Sequence, residues 1–202
     1  FFHQFPETDL VCHDEIHVDL SNQKSKHVRY GLHQDYAKLL FKGNAFSTSA
    51  VVVRRSKVLE TGLFSENEAF VTAEDYELWM RLSRISRVAF LHEPLGRFNI
   101  HGESSSKRIE RHMRSLLNVV TEHFEQFRPK TFYHRLLLNR RKGDIYRAAS
   151  NQSFRTADRK LALASISASL RLNPVSLKTW ISFLLVLSMF IKKTVNATRT
   201  TG

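Results

Sequence analysis

The stretch TAEDYELWMRL, residues 72–82, carries the clearest helical pattern in the first half of the chain. Its apolar residues recur at three- and four-residue steps, which predicts an amphipathic helix that begins at Glu74 and Asp75. The stripe on this helix comprises Leu78, Trp79, Leu82 and Ile85. Two further stretches flank it, GNAFSTSAVVV (43–53) and VAFLHEPLGRFNIH (88–101), and each contains a short run typical of a buried strand.

Short β-type runs occur at Asp9–Cys12, Ala50–Arg54 and Val88–Leu91, and helical patterns lie between them. Gly62 is expected to end a short helix that follows the second run. We therefore predict a mixed α/β first part. A single cysteine, Cys12, excludes a disulfide within the chain and fits a reducing compartment.

The pattern changes near residue 105, and the rest of the chain reads as helical. Apolar residues from Ile109 to Phe127 predict a long amphipathic helix that Pro129 closes. A second helix is expected to end at Leu172, before Pro174. The predicted organisation is thus an α/β part over 1–106, a helical extension over 107–193 and a frayed polar tail over 194–202.

Charge separates the two halves in the same place. Residues 1–106 hold 12 basic and 14 acidic side chains, a net charge of −2, whereas residues 107–202 hold 19 basic and 5 acidic ones, a net charge of +14. Such a basic half could meet nucleic acid, an anionic membrane face or phosphate-bearing substrates. It could equally be a solvated helical surface.

The run Trp180–Ile191 is apolar apart from two serines and is flanked by Lys178 and by Lys192-Lys193. It falls short of the ~20 residues that cross a bilayer. Two interpretations stay open, a core helix and a helix that lies in the membrane interface with its flanking lysines reaching the headgroups.

The chain lacks the sequence motifs of several ordinary enzyme classes. The chain contains no Walker loop, Gly-x-Gly-x-x-Gly, His-Glu-x-x-His, Gly-x-Ser-x-Gly or Asp-x-Asp. Cys12-His13 and His17, with Asp14 and Asp19, carry zinc-ligating atoms, but their spacing matches no familiar zinc site.

The succession from Gly43 to His101 resembles the later half of family 2 glycosyltransferases of the GT-A fold. That half commonly reads Gly-Asn, a hydrophobic strand, Gly-x-Phe-x-Glu, Glu-Asp-x-x-x-Trp-x-Arg, and Glu-Pro-Leu before Arg or Tyr and His. The resemblance implies α/β architecture, namely a partial, Rossmann-like GT-A domain that lacks its N-terminal nucleotide-binding half and carries a helical extension.

For the site, the resemblance implies that Asp75 is the base that deprotonates an acceptor hydroxyl and that Glu74 orients its neighbours. A helix N-terminus stabilises an ionised carboxylate by ~0.3–1 kcal/mol. The competing interpretation is a capping box in which Asp75 pairs with Thr72. The expected substrate-binding residues are Asn44, Trp79, Arg81, Arg97 and His101.

Each neighbour has an alternative role. Trp79 could stack on an acceptor sugar or belong to the core. Arg81 and Arg97 could meet diphosphate or acceptor charge, or pair with surface carboxylates. His101 could approach the metal or pyrophosphate, as in some relatives, or be an ordinary loop histidine.

The family's donor site uses an Asp-x-Asp-like motif to hold a divalent cation, Mg or Mn, and this motif normally precedes the part represented here. We therefore expect the start of the chain to be a cut end and residues 1–202 to transfer no sugar alone. The implied partners are a nucleotide-sugar donor and a saccharide or lipid-linked acceptor, in a cytoplasmic protein that is peripheral at the inner face of the cell membrane.

Two other hypotheses belong to different classes. The basic second half could be a non-catalytic helical module that binds nucleic acid or partner proteins, since aromatics interleave with arginines at Phe127-Arg128 and at Phe132–Arg135. The same aromatics are explained by helix packing. A degenerate, inactive transferase is the third possibility.

Overall fold

The computed structural model describes residues 1–31, 35–100 and 106–199, with the side chains of residues 106 and 191–199 left out of the description. The chain forms two compact units, Phe1–Glu103 and Ser104–Gly202, here called the first and second unit. The first unit is α/β with a small mixed sheet, and the second is helical.

Four strands form the sheet in the described part of the first unit. They are β1 (Leu10–Asp19), β2 (Lys24–Val28), β3 (Val51–Val53) and β4 (Val88–Ile100). β1 is central: its first residues pair antiparallel with β3, its last residues pair antiparallel with β2, and β4 runs parallel along its other edge. The β1–β4 register shifts on both sides of Asp14, which marks an irregularity of the kind that redirects a side chain.

The first unit also contains three helices, α1 (Tyr36–Lys42), α2 (Arg55–Glu60) and α3 (Glu74–Leu82). Short 3-10 turns at Thr48–Ala50 and Glu68–Phe70 precede β3 and α3. The largest side chains that are fully buried in this unit are Tyr76, Leu10, Leu39, Leu40, Leu78, Met80, Leu82 and Glu15. The Tyr76 hydroxyl donates to the Leu39 carbonyl at 2.6 Å, so α3 is fastened to α1 inside the core.

Four helices make up the described part of the second unit. They are α4 (Ser106–Gln126), α5 (Phe132–Arg155), α6 (Arg159–Leu172) and α7 (Leu177–Arg199). Thr131 and His134 form a capping box at the start of α5, and the Asp158 carboxylate accepts the Leu161 N–H at 2.9 Å at the start of α6.

Small residues let α5 and α6 approach closely. The Ser169 hydroxyl donates to the Gly143 carbonyl at 2.8 Å, and the Ser150 hydroxyl donates to the Ala162 carbonyl at 2.9 Å. A Cβ atom on Gly143 would lie 3.3 Å from the Asn173 Cβ atom, so this contact leaves little room for a side chain. Beside it, Ala162, Ile166 and Val186 form a buried cluster that joins α6 to α7.

Most of the expected elements are confirmed. The three strands, the helix at residue 74, the helix that Gly62 follows, and the helices before Pro129 and Pro174 are all present. The stripe is one residue too long, because α3 ends at Leu82 and Ile85 is exposed. α7 continues as helix to Arg199, into the segment for which we expected fraying. Among the described residues, no helix combines the length and the apolar character that crossing a bilayer requires.

Candidate active site

Asp75 lies in the first turn of α3, two residues after the N-cap position Ala73. The N-cap residue of α3 is Ala73, which provides no side-chain cap, so the helix does not begin from Thr72 as the competing capping-box interpretation requires. The Asp75 Oδ2 atom instead accepts a hydrogen bond of 2.6 Å from the Thr48 hydroxyl. The carboxylate therefore combines a helix N-terminus with a donor from a distant turn, and both stabilise its negative charge.

This carboxylate opens onto a cavity of about 630 Å³. The cavity is lined by Tyr30, Phe46, Ser47, Thr48, Ser49, Asp75 and Phe98. Four of these residues carry hydroxyl groups and two carry apolar aromatic rings, and Asp75 is the only ionisable carboxylate among them. Convergent polar groups beside aromatic surface are typical of a small-molecule site.

Buried Glu15 orders the hydroxyl groups of the cavity wall. Its side chain is 1% exposed, and its two oxygens accept hydrogen bonds from Tyr30 Oη at 2.8 Å and from Ser49 Oγ at 2.7 Å. Burial alone would raise the pKa of Glu15, but the hydrogen bonds from Ser49, Tyr30 and Ser47 outweigh it and hold that pKa below its ordinary value. Glu15 is consequently an ionised acceptor at neutral pH.

The direction of these hydrogen bonds determines whether the cavity wall presents donors or acceptors to a ligand. Tyr30 and Ser49 each have one hydroxyl proton, and both protons point to Glu15. Each of these oxygens already has one further neighbour, Ser47 Oγ at 3.0 Å from Ser49 Oγ and His17 Nε2 at 3.1 Å from Tyr30 Oη. The lone pair that remains on each oxygen can only accept, so this side of the cavity favours a ligand that donates hydrogen bonds. Burial, together with the Glu15 carboxylate, raises the pKa of Tyr30 to about 12, which keeps its hydroxyl protonated.

Trp79 belongs to the core and does not line the cavity. It is 3% exposed, and its ring centroid lies 6.0 Å from that of Phe46, which does line the cavity. Phe46 also stacks on Phe90 at 5.6 Å. Trp79 thus supports the Phe46 ring, which is the core role considered above, and a stacking contact with an acceptor would fall to Phe46 or Phe98.

Arg81 lies outside the cavity lining and serves the scaffold. Its guanidinium group forms a two-pronged ion pair with Glu77, at 2.7 Å and 2.8 Å, and also donates to the carbonyls of Thr61 and Leu63. Because these carbonyls flank Gly62, Arg81 attaches α3 to the turn that follows α2. Of the two roles considered for Arg81, pairing with a carboxylate is therefore the one observed, and contact with a diphosphate is not.

Arg97 and Asn44 also lie outside the cavity lining. Arg97 is exposed on β4, and its Nε atom donates to Asn99 Oδ1 at 3.1 Å. Asn44 is exposed, and its Oδ1 atom accepts the Phe46 N–H at 3.0 Å. Asn44 therefore shapes the turn that places Phe46 in the cavity wall.

Glu74 is half-buried beside Asp75, and its Oε2 atom is buried without a hydrogen-bond partner in the described part of the chain. It does not line the cavity. His101 lies outside the described residues, so its expected contact with metal or pyrophosphate has no structural test.

The described residues do not fit a divalent cation. Within residues 1–31, 35–100 and 106–199, no group of three or more His, Cys, Asp or Glu side chains could hold a metal ion. This covers the cluster around Cys12 and His17, where burial raises the pKa of the Cys12 thiol to about 11 and His17 Nε2 lies 3.1 Å from the Tyr30 hydroxyl.

Several site residues were not anticipated, namely Glu15, Tyr30, Phe46, Phe98 and the three hydroxyl residues Ser47 to Ser49. The turn at 47–49 had a usable signal, because three consecutive hydroxyl residues come just before strand β3. Strand pairing brings in Glu15 and Phe98, since it places Phe98 opposite His17 and next to the Glu15 region. Phe46 is placed by the turn that Asn44 shapes, and Tyr30 follows β2. No local pattern marks them.

Comparison of the chain with protein-family models, with curated proteins and with solved structures finds no match.

Proposed function

We propose that the first unit is the acceptor side of an inverting, family 2-like glycosyltransferase with a partial GT-A domain, and that Asp75 is its catalytic base. The observation that carries the proposal is the position of the Asp75 carboxylate, which opens onto a cavity of about 630 Å³ and is held by the Thr48 hydroxyl. An ionised carboxylate beside hydroxyl and aromatic groups suits the chemistry of a sugar acceptor.

In the proposed reaction, an acceptor hydroxyl in the cavity attacks the anomeric carbon of a nucleotide sugar. The new C–O bond forms as the bond to the diphosphate breaks, the nucleoside diphosphate leaves, and the hydroxyl proton moves to Asp75. Both Asp75 oxygens already accept one hydrogen bond, Oδ2 from the Thr48 hydroxyl and Oδ1 from the Tyr76 N–H, but a carboxylate has about four acceptor sites. Enough capacity remains to receive the proton.

The cavity wall also supports an acceptor rich in hydroxyl groups. Tyr30 and Ser49 donate their hydroxyl protons to Glu15, so their oxygens can accept hydrogen bonds from the hydroxyl groups of a saccharide. Phe46 and Phe98 offer apolar surface to the C–H face of a sugar ring. A saccharide or lipid-linked acceptor, a nucleotide-sugar donor and a divalent cation in the complete enzyme all belong to this proposal.

The test compares Asp75→Asn with Asp35→Asn in the full natural protein, scanning nucleotide sugars for release of nucleoside diphosphate in the presence of Mg²⁺ or Mn²⁺. Asp35 is a matched control, since it also stands at a helix start and its carboxylate accepts the Lys38 N–H at 2.8 Å, but it does not line the cavity. Removal of a general base costs typically 10²–10⁴-fold in rate.

We expect Asp75→Asn to lose that factor while keeping the unfolding midpoint, and Asp35→Asn to retain activity. An active Asp75→Asn variant would exclude Asp75 as the base. Release that is absent from the wild type with every donor would instead count against the transferase as a whole.

A further inference from the structure

The exposed face of α7 is more apolar than its buried face. Thr179, Ser182 and Val186 point into the second unit and are buried. The exposed face carries five large apolar side chains at the three- and four-residue steps of one helical stripe, each between 45% and 73% exposed. They are Leu177, Trp180, Ile181, Leu184 and Leu185. We call this set the α7 stripe.

A cationic cavity of about 520 Å³ lies at the start of the stripe, where the α6–α7 turn meets α5. It is lined by Arg140, Asp144, Arg147, Asn173, Val175, Ser176, Leu177 and Lys178. Three cations therefore face one carboxylate. Leu177 belongs both to this lining and to the α7 stripe, so the two features are continuous.

Hydrogen-bond donors on the cations of this cavity lack partners among the described residues. Within the described residues, Arg140 and Lys178 have neither a hydrogen-bond nor an ion-pair partner. Arg147 pairs with Asp144 at 3.2 Å, but its Nε atom is a buried donor that no described residue satisfies. The first N–H groups of α7 add a partial positive charge at the same place.

Exposed apolar groups surround this cavity on both sides. On α5, Leu136 and Phe132 lie one and two turns before Arg140, and both are exposed. On the other side, Val175 in the α6–α7 turn is 90% exposed. A monomer that kept these groups in water would present an unusually large apolar patch around three positive charges.

We propose that the α7 stripe and the cationic cavity form a docking site for an anionic phospholipid bilayer. The cavity would receive a lipid phosphate, while the stripe, Val175, Leu136 and Phe132 would enter the boundary between headgroups and acyl chains. Trp180 suits that depth, since indole rings favour the membrane interface. The proposal stands apart from the transferase proposal, because each residue involved lies in the second unit.

The charge of the second unit and the nature of its exposed side chains favour an anionic membrane over a second copy of the chain or nucleic acid. The second unit holds 19 basic and 5 acidic side chains, a net charge of +14, so a second copy of the chain would bring +14 against +14. Nucleic acid would complement the charge, but of the exposed apolar groups of this site only Trp180 and Phe132 have a ring that could stack on bases. An anionic membrane satisfies both the charge and the apolar stripe.

The experiment measures sedimentation of the 202-residue chain with vesicles of phosphatidylcholine, with and without phosphatidylglycerol. Two double variants test the two parts of the site separately. Arg140→Ala with Lys178→Ala removes two cations of the cavity, and Ile181→Asn with Leu184→Asn removes two exposed apolar groups of the α7 stripe. At ~1 kcal/mol per surface cation, the first variant should bind about 25-fold more weakly. The second should bind at least about tenfold more weakly.

The matched control is Arg155→Ala with Lys160→Ala, which makes the same charge change at exposed positions by the α5–α6 turn. The 14 residues of α6 place this turn about 21 Å from the α6–α7 turn, beyond the Debye length of about 8 Å. We expect the control to bind within about threefold of the wild type. Trp180 emission should shift to the blue with anionic vesicles.

Several results would overturn the proposal: no binding to anionic vesicles, equal losses in the control and the cation variant, or binding that Ile181→Asn with Leu184→Asn leaves unchanged. A chain that is dimeric at assay concentration and becomes monomeric with the apolar variant would assign the stripe to a second copy. Tighter binding to single-stranded nucleic acid than to vesicles, lost in the cation variant, would assign the cavity to nucleic acid.

Discussion

Replacing Arg81 by methionine tests whether this residue is part of the scaffold or is free for substrate. The Glu77 carboxylate is 8% exposed, and Arg81 supplies the guanidinium group that pairs with it. Breaking such a buried pair from one side costs about 3–5 kcal/mol. The bonds to the Thr61 and Leu63 carbonyls add to this, whereas the 25% exposure of Arg81 permits screening by water.

We therefore expect Arg81→Met to lower the free energy of unfolding of the first unit by about 3 kcal/mol, a large part of the 5–15 kcal/mol typical of a domain. Adding Glu77→Gln should recover about 1–2 kcal/mol, because the buried carboxylate charge is then also removed.

Urea unfolding followed by tryptophan fluorescence is the appropriate assay. Trp79 is buried in the first unit, and a Trp180→Phe background removes the tryptophan of the second unit. A loss below about 1 kcal/mol in Arg81→Met would refute the scaffold role. Arg81 would then be available to bind a charged substrate, as the family resemblance implied.

Two other predictions concern the sheet and the helical hairpin. Because hydrogen bonds hold the pKa of Glu15 below its ordinary value of 4.5, its contribution to stability is present above pH 4.5 and is lost as the pH falls through the lower, folded value. The difference in urea midpoint between wild type and Glu15→Gln should therefore shrink below pH 4.5, and a constant difference would contradict this assignment. In the second unit, Gly143→Ala should be nearly neutral, because the gain in helix propensity offsets a tight contact with Asn173, whereas Gly143→Leu should cost about 1–3 kcal/mol. Circular dichroism at 222 nm during urea unfolding measures both variants, and equal stabilities would show that α5 and α6 separate easily at this point.

The elements of the fold were accessible from the sequence because their signals are local. Apolar periodicity from Ile109 to Phe127 placed α4, and Pro174 placed the end of α6. Strand lengths were underestimated: β1 continues to Asp19, through the buried carboxylates Asp14 and Glu15, and β4 continues to Ile100, through exposed and half-buried residues. The backbone pairing of β1 with β4, which no local pattern encodes, extends both strands.

The candidate site was accessible only in part. Asp75 could be proposed from its motif, and it does open onto a cavity, whereas Trp79 and Arg81 from the same motif turn to the core and the scaffold. A motif fixes the spacing of residues along a helix, but neighbouring elements decide which of them meet solvent. The remaining wall comes from residues near 15, 30, 46–49 and 98, which pairing and turns bring together.

The division into an α/β unit and a basic helical unit follows from composition, charge and periodicity, which are properties of the chain that folding does not change. The direction in which each amphipathic surface faces depends on how the elements pack together. The run from Trp180 to Phe190 could have been core or exposed, and the packing of Val186 against Ala162 and Ile166 turned the larger apolar side chains of the α7 stripe outward. In the same way, only folding brought Glu15 to Tyr30 and Ser49, because a hydrogen bond depends on distance in space and not on separation along the chain.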